Sequence, residues 1–139
     1  MPMRRPVFRI QSLNAQNEEA FFSLARELFP RARIHLLDSD RVWLAYSGGE
    51  AAGFVHLRAL PHSFYLQGIG VRPVWRRHGI GRRLLARAMA QAAQTGSPGG
   101  LILKVRAGNS EALAFYRSCG FMVERVSLSS WRLRWRSPN

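Results

Sequence analysis

Two hydrophobic periods alternate along this chain. From Val7 to Leu13 apolar and polar residues take turns, which predicts a half-buried strand. Ala20, Phe21, Leu24, Ala25 and Leu28 then fall on one helical face, with Asn14 or Asn17 available as a cap and Glu18 and Glu19 in the first turn. Pro30 ends that helix, and Arg31 to Leu37 reads as a short second helix or an irregular stretch. Arg41 to Tyr46 and Ala51 to Leu60 are strands of a hairpin around Ser47-Gly48-Gly49-Glu50. After a turn at Pro61-His62-Ser63, Phe64 to Arg72 forms a strand that Pro73 stops, because proline has no N–H to give a ladder. Ile80, Leu84, Leu85, Ala88, Met89 and Ala92 return to helical spacing, predicting a helix from Gly79 to Thr95 with Arg82, Arg83, Arg87, Gln91 and Gln94 on its other side. Leu101 to Arg106 is a short apolar strand of the buried kind. A helix opening at Asn109 closes at Gly120. Strands follow at Phe121 to Val126 and Leu128 to Arg136, the last with Trp131, Leu133 and Trp135 on one face and Arg132, Arg134 and Arg136 on the other.

That order, strand, helix, three strands, helix, strand, helix, strands, predicts a mixed α/β sheet with helices on both faces. At 139 residues and 47% hydrophobic content the chain is long and apolar enough for one domain with a proper core. It shows no internal repeat and no apolar run near the ~20 residues of a membrane helix. Basic Met1-Pro2-Met3-Arg4-Arg5-Pro6 lacks a signal-peptide core, so a cytoplasmic location with no membrane partner is expected. Cys119 stands alone, which excludes an internal disulfide, and no basic residue is spaced to activate it; it reads as a packing residue. Histidines at 35, 56, 62 and 78 show no metal-ligand spacing, so no metal is expected. The net charge is +13, and 20 of the 21 basic residues are arginine. Such a field draws anions and repels polycations. It suits an acidic ligand, and nucleic acid is the less favoured partner, since a surplus of charge is most often a solvated surface.

Chemistry concentrates between Val71 and Leu85. A basic loop holding Arg76, Arg77, His78, Gly79 and Gly81 joins the end of a strand to the start of a helix. A helix that opens on glycines offers bare N–H groups and the positive end of its dipole, which suits a phosphate or pyrophosphate. The dinucleotide fingerprint fails, because the sixth position from Gly68 is Pro73 and from Gly79 is Leu84. The P-loop fails too, because the only lysine is Lys104. Gly68 and Gly70, inside the preceding strand, mark either a bulge or a ligand pressed against the backbone.

What does fit is Arg76-x-x-Gly79-x-Gly81 after a strand ending Val71-x-Pro73. The segment resembles the GCN5-related N-acetyltransferase (GNAT) family, whose signature is Gln/Arg-x-x-Gly-x-Gly/Ala. Asn109-Ser110-Glu111-Ala112-Leu113-Ala114-Phe115-Tyr116, with Gly120-Phe121 behind it, is similar to a second family segment. The resemblance is specific from about Leu66 to Phe121. It implies that residues 1–139 form a single N-acetyltransferase domain, with a mostly antiparallel six- to seven-stranded sheet. Acetyl-coenzyme A would be the co-substrate. Arg76, Arg77, His78, Gly79, Ile80, Gly81 and Arg82 would hold its pyrophosphate. Ile69, Gly70 and Val71 would carry its pantetheine arm, and Asn109 would touch the cofactor, cap its own helix, or both.

N-acetyl transfer needs a neutral amine, a route for its proton, stabilisation of the oxyanion and a proton for the departing thiolate. The resemblance gives the last task to Tyr116, whose phenol, with an ordinary pKa of ~10, stays protonated at neutral pH. The alternative for Tyr116 is packing, with its hydroxyl on a backbone carbonyl. A backbone N–H between Ile69 and Val71 would serve the oxyanion. Many family members carry a glutamate on the strand before the loop; here that position is Tyr65, and Phe64-Tyr65-Leu66-Gln67 has no carboxylate. A water relayed by Tyr65, Gln67 or a histidine could take the proton. His56 and His62 have suitable ordinary pKa values, although both read as surface residues. No nucleophile is placed for a covalent acyl intermediate, so direct attack by a primary amine, of a small metabolite or a protein N-terminus, is expected. The missing carboxylate leaves a non-catalytic coenzyme A-binding module as the alternative, with a nucleic-acid binder on the same scaffold behind it. A homodimer through the Trp131, Leu133, Trp135 face is open, and so is burial of that face in the monomer.

Overall fold

The computed structural model describes residues 7–138. Seven strands form one sheet in the order β1-β2-β3-β4-β5-β7-β6. They are β1 (Arg9–Ser12), β2 (Arg41–Ser47), β3 (Glu50–Ala59), β4 (Phe64–Val71), β5 (Leu101–Arg106), β6 (Met122–Val126) and β7 (Ser130–Trp135). All neighbours run antiparallel except β4 and β5. Helix α1 (Glu18–Leu28) covers one face; α2 (Ile80–Gln94) and α3 (Ser110–Ser118) cover the other.

The middle strands are buried on both sides, so alternation there sorts side chains between two cores rather than between core and water. Val42, Leu44 and Phe54 join Phe21 and Leu24 under α1. Trp43, Ala45, Val55 and Leu57 turn the other way and pack with Leu84, Leu85, Leu101, Leu103 and Leu133 under α2 and α3. On β7 the buried face is Leu133, with Trp131 and Trp135 half-buried against the same core. Its arginines are engaged as well: Arg132 and Arg134 both donate to Glu124 of β6, which holds that carboxyl at about 2.

Several boundaries depart from the sequence expectations. The first strand pairs only over Arg9–Ser12, because Phe8 leaves the ladder to pack its ring edge-on to Trp75 at 5.6 Å. Neither Asn14 nor Asn17 caps α1 through its side chain; Asn17 Oδ1 accepts from the Asn14 amide at 2.7 Å and Asn14 Oδ1 from the Asn17 amide at 3.0 Å, bracing the turn instead. Arg31 to Leu37 takes the irregular of its two expected forms. The last strand starts at Ser130, since Ser127 and Ser130 close a turn on each other and Leu128 stands fully in water.

Two irregularities position the site. Opposite β3, Gln67 is an extra residue: His56 faces Gly68 and Leu57 faces Leu66, so Gln67 bulges from β4. On its other side β4 pairs with β5 only at Phe64–Leu101 and Tyr65–Ile102. Beyond that point the strands separate, and the backbone of Ile69 to Val71 faces a gap rather than a neighbour.

Candidate active site

The gap between β4 and β5 is the mouth of a cleft of about 740 Å³, within the size of small-molecule sites. One wall is the Ile69–Gly70–Val71 backbone, another the loop and first turn of α2, the third α3. Of the residues expected at the cofactor, Ile69, Gly70, Val71, Arg76, Arg77, Gly79, Ile80, Gly81, Arg82 and Asn109 all line it, and so does Tyr116. His78 does not: its ring turns away onto Phe8 and Trp75.

The loop is shaped by unusual backbone. Arg77 and Gly79 both take left-handed conformations, at φ 69° and 79°. Gly79 then precedes α2, whose first turn carries no acidic side chain and no side-chain cap. The opening amides of α2 are therefore left for an outside acceptor, with the helix dipole behind them. Arg76 Nε donates to the Val71 carbonyl at 3.2 Å, tying the loop to the strand end. Arg72, at the end of β4, donates to Glu27 of α1 at 2.6 and 2.9 Å and to Glu50 of β3, which fixes that end of the cleft. These donors, the positive field and the long unpaired strand edge fit an extended ligand with a pyrophosphate at one end.

Asn109 caps α3, its Oδ1 accepting from the Ala112 amide at 3.2 Å, while also lining the cleft. Tyr116 is half-buried on the opposite wall among Phe115 and Phe121. Burial, with a smaller push from Cys119, raises its phenol to about 12. Its hydroxyl makes no hydrogen bond within the described residues. Cys119 is not without a basic neighbour, contrary to expectation: Arg82, a turn into α2, brings Nη1 to 3.5 Å from its sulfur.

A second cavity, of about 180 Å³, opens on the α1 side of the sheet. Phe21, Phe29, Ile34 and Phe54 give it apolar walls, Arg33, His35 and His56 line it too, and Gln67 and Gly68 of the bulge complete it. Phe29 lines both cavities, and Gly68 of one is followed by Ile69 of the other. His56 is not the surface residue expected: it is 3% exposed. Asp40, from the loop before β2, accepts from His56 Nε2 at 2.7 Å and from Arg58 Nε and Nη2 at 3.2 and 3.0 Å. Burial favours the neutral carboxyl of Asp40, yet bonds from Arg58, His56 and the Leu37 amide outweigh it and hold the group at about 2. Burial lowers His56 below its ordinary value against the opposing pull of Asp40, so its ring is neutral at pH 7. His62 is exposed, as expected. Tyr65 is half-buried and its phenol raised by burial.

Residues 9–121 match the Acetyltransferase (GNAT) family. The chain belongs to this family. It is 40% identical over 89 residues to the N-alpha-acetyltransferase RimI of Mycobacterium tuberculosis, covering 60% of this chain and 52% of that protein. It is 33% identical over 114 residues to the mycothiol acetyltransferase of Catenulispora acidiphila, covering 77% of this chain and 36% of that one. The chain thus spans about half or less of the length of these curated relatives. Among solved structures it shares its fold with the ribosomal-protein-S18-alanine N-acetyltransferase of Escherichia coli, with TM-score 0.78, 20% identity and coverage of 96% and 98% of the two chains. Arabidopsis thaliana NAA60 in complex with acetyl-CoA superposes with TM-score 0.77 at 18% identity, over 93% and 98% of the chains.

Proposed function

We propose that this protein is an acetyl-coenzyme A-dependent N-acetyltransferase acting on a primary amine, of a small metabolite or a protein N-terminus, by direct attack with both substrates bound. The observation that carries the reading is the parting of β4 from β5 directly in front of the uncapped start of α2. An unpaired strand edge and a set of free helix amides, joined by one basic loop, match an extended pantetheine arm ending in a pyrophosphate. The bound cofactor supplies an acetyl group activated as a thioester.

The chain's own residues do the rest. Backbone amides of Gly79 to Arg82 and the guanidinium groups of Arg76, Arg77 and Arg82 hold the pyrophosphate. The N–H groups of Ile69 to Val71 orient the arm and face the carbonyl oxygen as it gains charge. Tyr116 keeps its proton across the working pH range and gives it to the leaving sulfur. Phe29, between the two cavities, keeps water from the junction where the amine meets the cofactor. The relative named N-alpha-acetyltransferase RimI supports a protein N-terminus among the acceptors.

Thiol release from acetyl-coenzyme A, followed with a thiol-reactive dye against 2-phenylethylamine and short peptides with free N-termini, tests the reading. Amine-dependent release with an acetylated product is the expected result. Acetyl-coenzyme A binding without any amine-dependent release would leave a binding module, and no binding at modest salt would remove the reading altogether.

A further inference from the structure

Resting on the acetyltransferase reading, we infer that His56, held by Asp40, is the general base of this protein, and that the 180 Å³ cavity it lines receives the amine, one with an apolar body and no second positive charge. The strand position at which many relatives carry a carboxylate is Tyr65 here, so the proton must leave by another route.

The geometry supplies one. A carboxylate can only accept, so the bond to Asp40 places the imidazole proton on Nε2 and leaves the lone pair on Nδ1. Among the described residues Nδ1 makes no hydrogen bond, and it is not among the sealed polar atoms, which are Trp75 Nε1 and Arg132 Nε. Nδ1 is thus the ring nitrogen without a partner, on a residue that lines the cavity. Its position along the sheet is also right. His56 sits directly across from Gly68, and Val55 across from Ile69. Opposite residues in such a ladder stand about 4.5–5.5 Å apart. The ring is thus one strand away from the place where the Ile69 backbone would meet the thioester. Gly68 adds no side chain to the intervening face: a Cβ there would touch only the Phe54 ring.

The charged groups around His56 are few. Asp40 binds it from the loop, and Arg58 stands next to Asp40 on β3. The α1–β2 loop adds Arg33 and His35 to the cavity wall. α1 presents Phe21 to the ring, β2 presents Val42 across the ladder, and β4 presents Gly68. Asp40 is engaged by its own partners and lies outside the cavity lining, which holds no carboxylate, so a dication finds nothing to pair with. Apolar walls take the body of the acceptor.

In the step itself the amine nitrogen bonds the acetyl carbon and the carbon–sulfur bond breaks. The nitrogen's proton passes to His56 Nδ1, and Tyr116 gives its proton to the sulfur. Exchange with water returns both groups to their resting states.

The test uses the intact chain with acetyl-coenzyme A and the amine panel above. Once corrected for the neutral fraction of the amine, the wild-type kcat/KM should rise with pH to a plateau, with a single enzyme ionisation below 6.5, the ordinary histidine value. His56→Gln should lower kcat about 10²–10⁴-fold, with acetyl-coenzyme A affinity by calorimetry within threefold. His56→Ala should be rescued saturably by added imidazole, which a packing role would not allow. Asp40→Asn, which removes the anion that supports the protonated ring, should move the acid limb to lower pH. Retention of kcat within threefold in folded His56→Gln, with an unchanged pH limb and no imidazole rescue of His56→Ala, would overturn the base assignment and leave the acetyltransferase reading intact. A wild type that binds acetyl-coenzyme A and turns over no amine would remove both.

Discussion

At Gly81 folding and ligand binding can be pulled apart. It lies in the first turn of α2, and its φ is outside the left-handed region. A Cβ there would meet Val71 Cγ2 at 3.8 Å and Phe115 Cζ at 3.9 Å, which are ordinary contacts. The fold therefore accepts a Cβ there without strain. Glycine is about 1 kcal/mol worse than alanine in a helix, and leucine is close to alanine. Gly81→Leu should raise stability by about 0.5–1 kcal/mol, less near a helix end than in its middle, and move Tm upward by about 1–4 °C for a chain of this size. The same side chain projects between Val71 and Phe115, both of which line the cleft, and stands in front of the free amides of α2. Each hydrogen bond to a charged group is worth about 1.5–3 kcal/mol, or about 10- to 150-fold in affinity. Losing even one should weaken acetyl-coenzyme A binding at least tenfold. Thermal melting and calorimetric titration on the same preparation read both effects. A variant that melts higher and still binds acetyl-coenzyme A within twofold of the wild type would refute the placement of the pyrophosphate at this turn.

Three further outcomes are expected. Tyr116→Phe should lower kcat by about 10²-fold or more while calorimetry finds acetyl-coenzyme A affinity unchanged; with the phenol at about 12, the wild-type rate should show no falling limb from this group below pH 10. Gly100→Ala should cost at least about 3 kcal/mol in urea unfolding, because Gly100 sits at φ 64° and a Cβ would lie 2.0 Å from the Trp135 carbonyl oxygen. Acid should destabilise the protein in two stages. Below pH 6.5 the unfolded chain takes up a proton that buried His56, with its lowered pKa, resists. Between about 3.8 and 2 the contribution of Asp40, fully present above its unfolded value, is lost as the carboxylate is protonated, on the order of 2 kcal/mol. Asp40→Asn should flatten the second stage when urea unfolding is followed against pH.

The two cavities differ in how far their residues announce themselves, and the difference is physical. The cleft proposed for the cofactor is made from backbone: a proline that stops β4, a loop forced through left-handed conformations at Arg77 and Gly79, and a helix start left bare. Backbone conformation is written locally, in glycine and proline and in the change of period from two to 3.6, so the stretch from Val71 to Leu85 could be read without knowing what lies beside it. The same holds for the order and type of the strands and helices, whose periods place them correctly although the ends of the first and last strands shift. The cavity proposed for the amine is made from side chains that meet only after folding. Phe21 comes from α1, Ile34 from an irregular loop, Phe54 and His56 from β3 and Gln67 from a bulge. Nothing local marks the meeting of Asp40 with His56 sixteen residues later. One clue was available: in β3, Gly53 to Leu57 includes a single polar residue, His56, in a run that the sheet buries on both faces. A lone polar residue in such a run must find a partner or pay the desolvation of its ring, so a buried acceptor elsewhere in the chain was implied. The buried ring calls for a partner, but nothing local says that the partner is Asp40. The proposed base follows from the same constraint: the partner satisfies one nitrogen, burial disfavours the charge, and the other nitrogen is left for the amine.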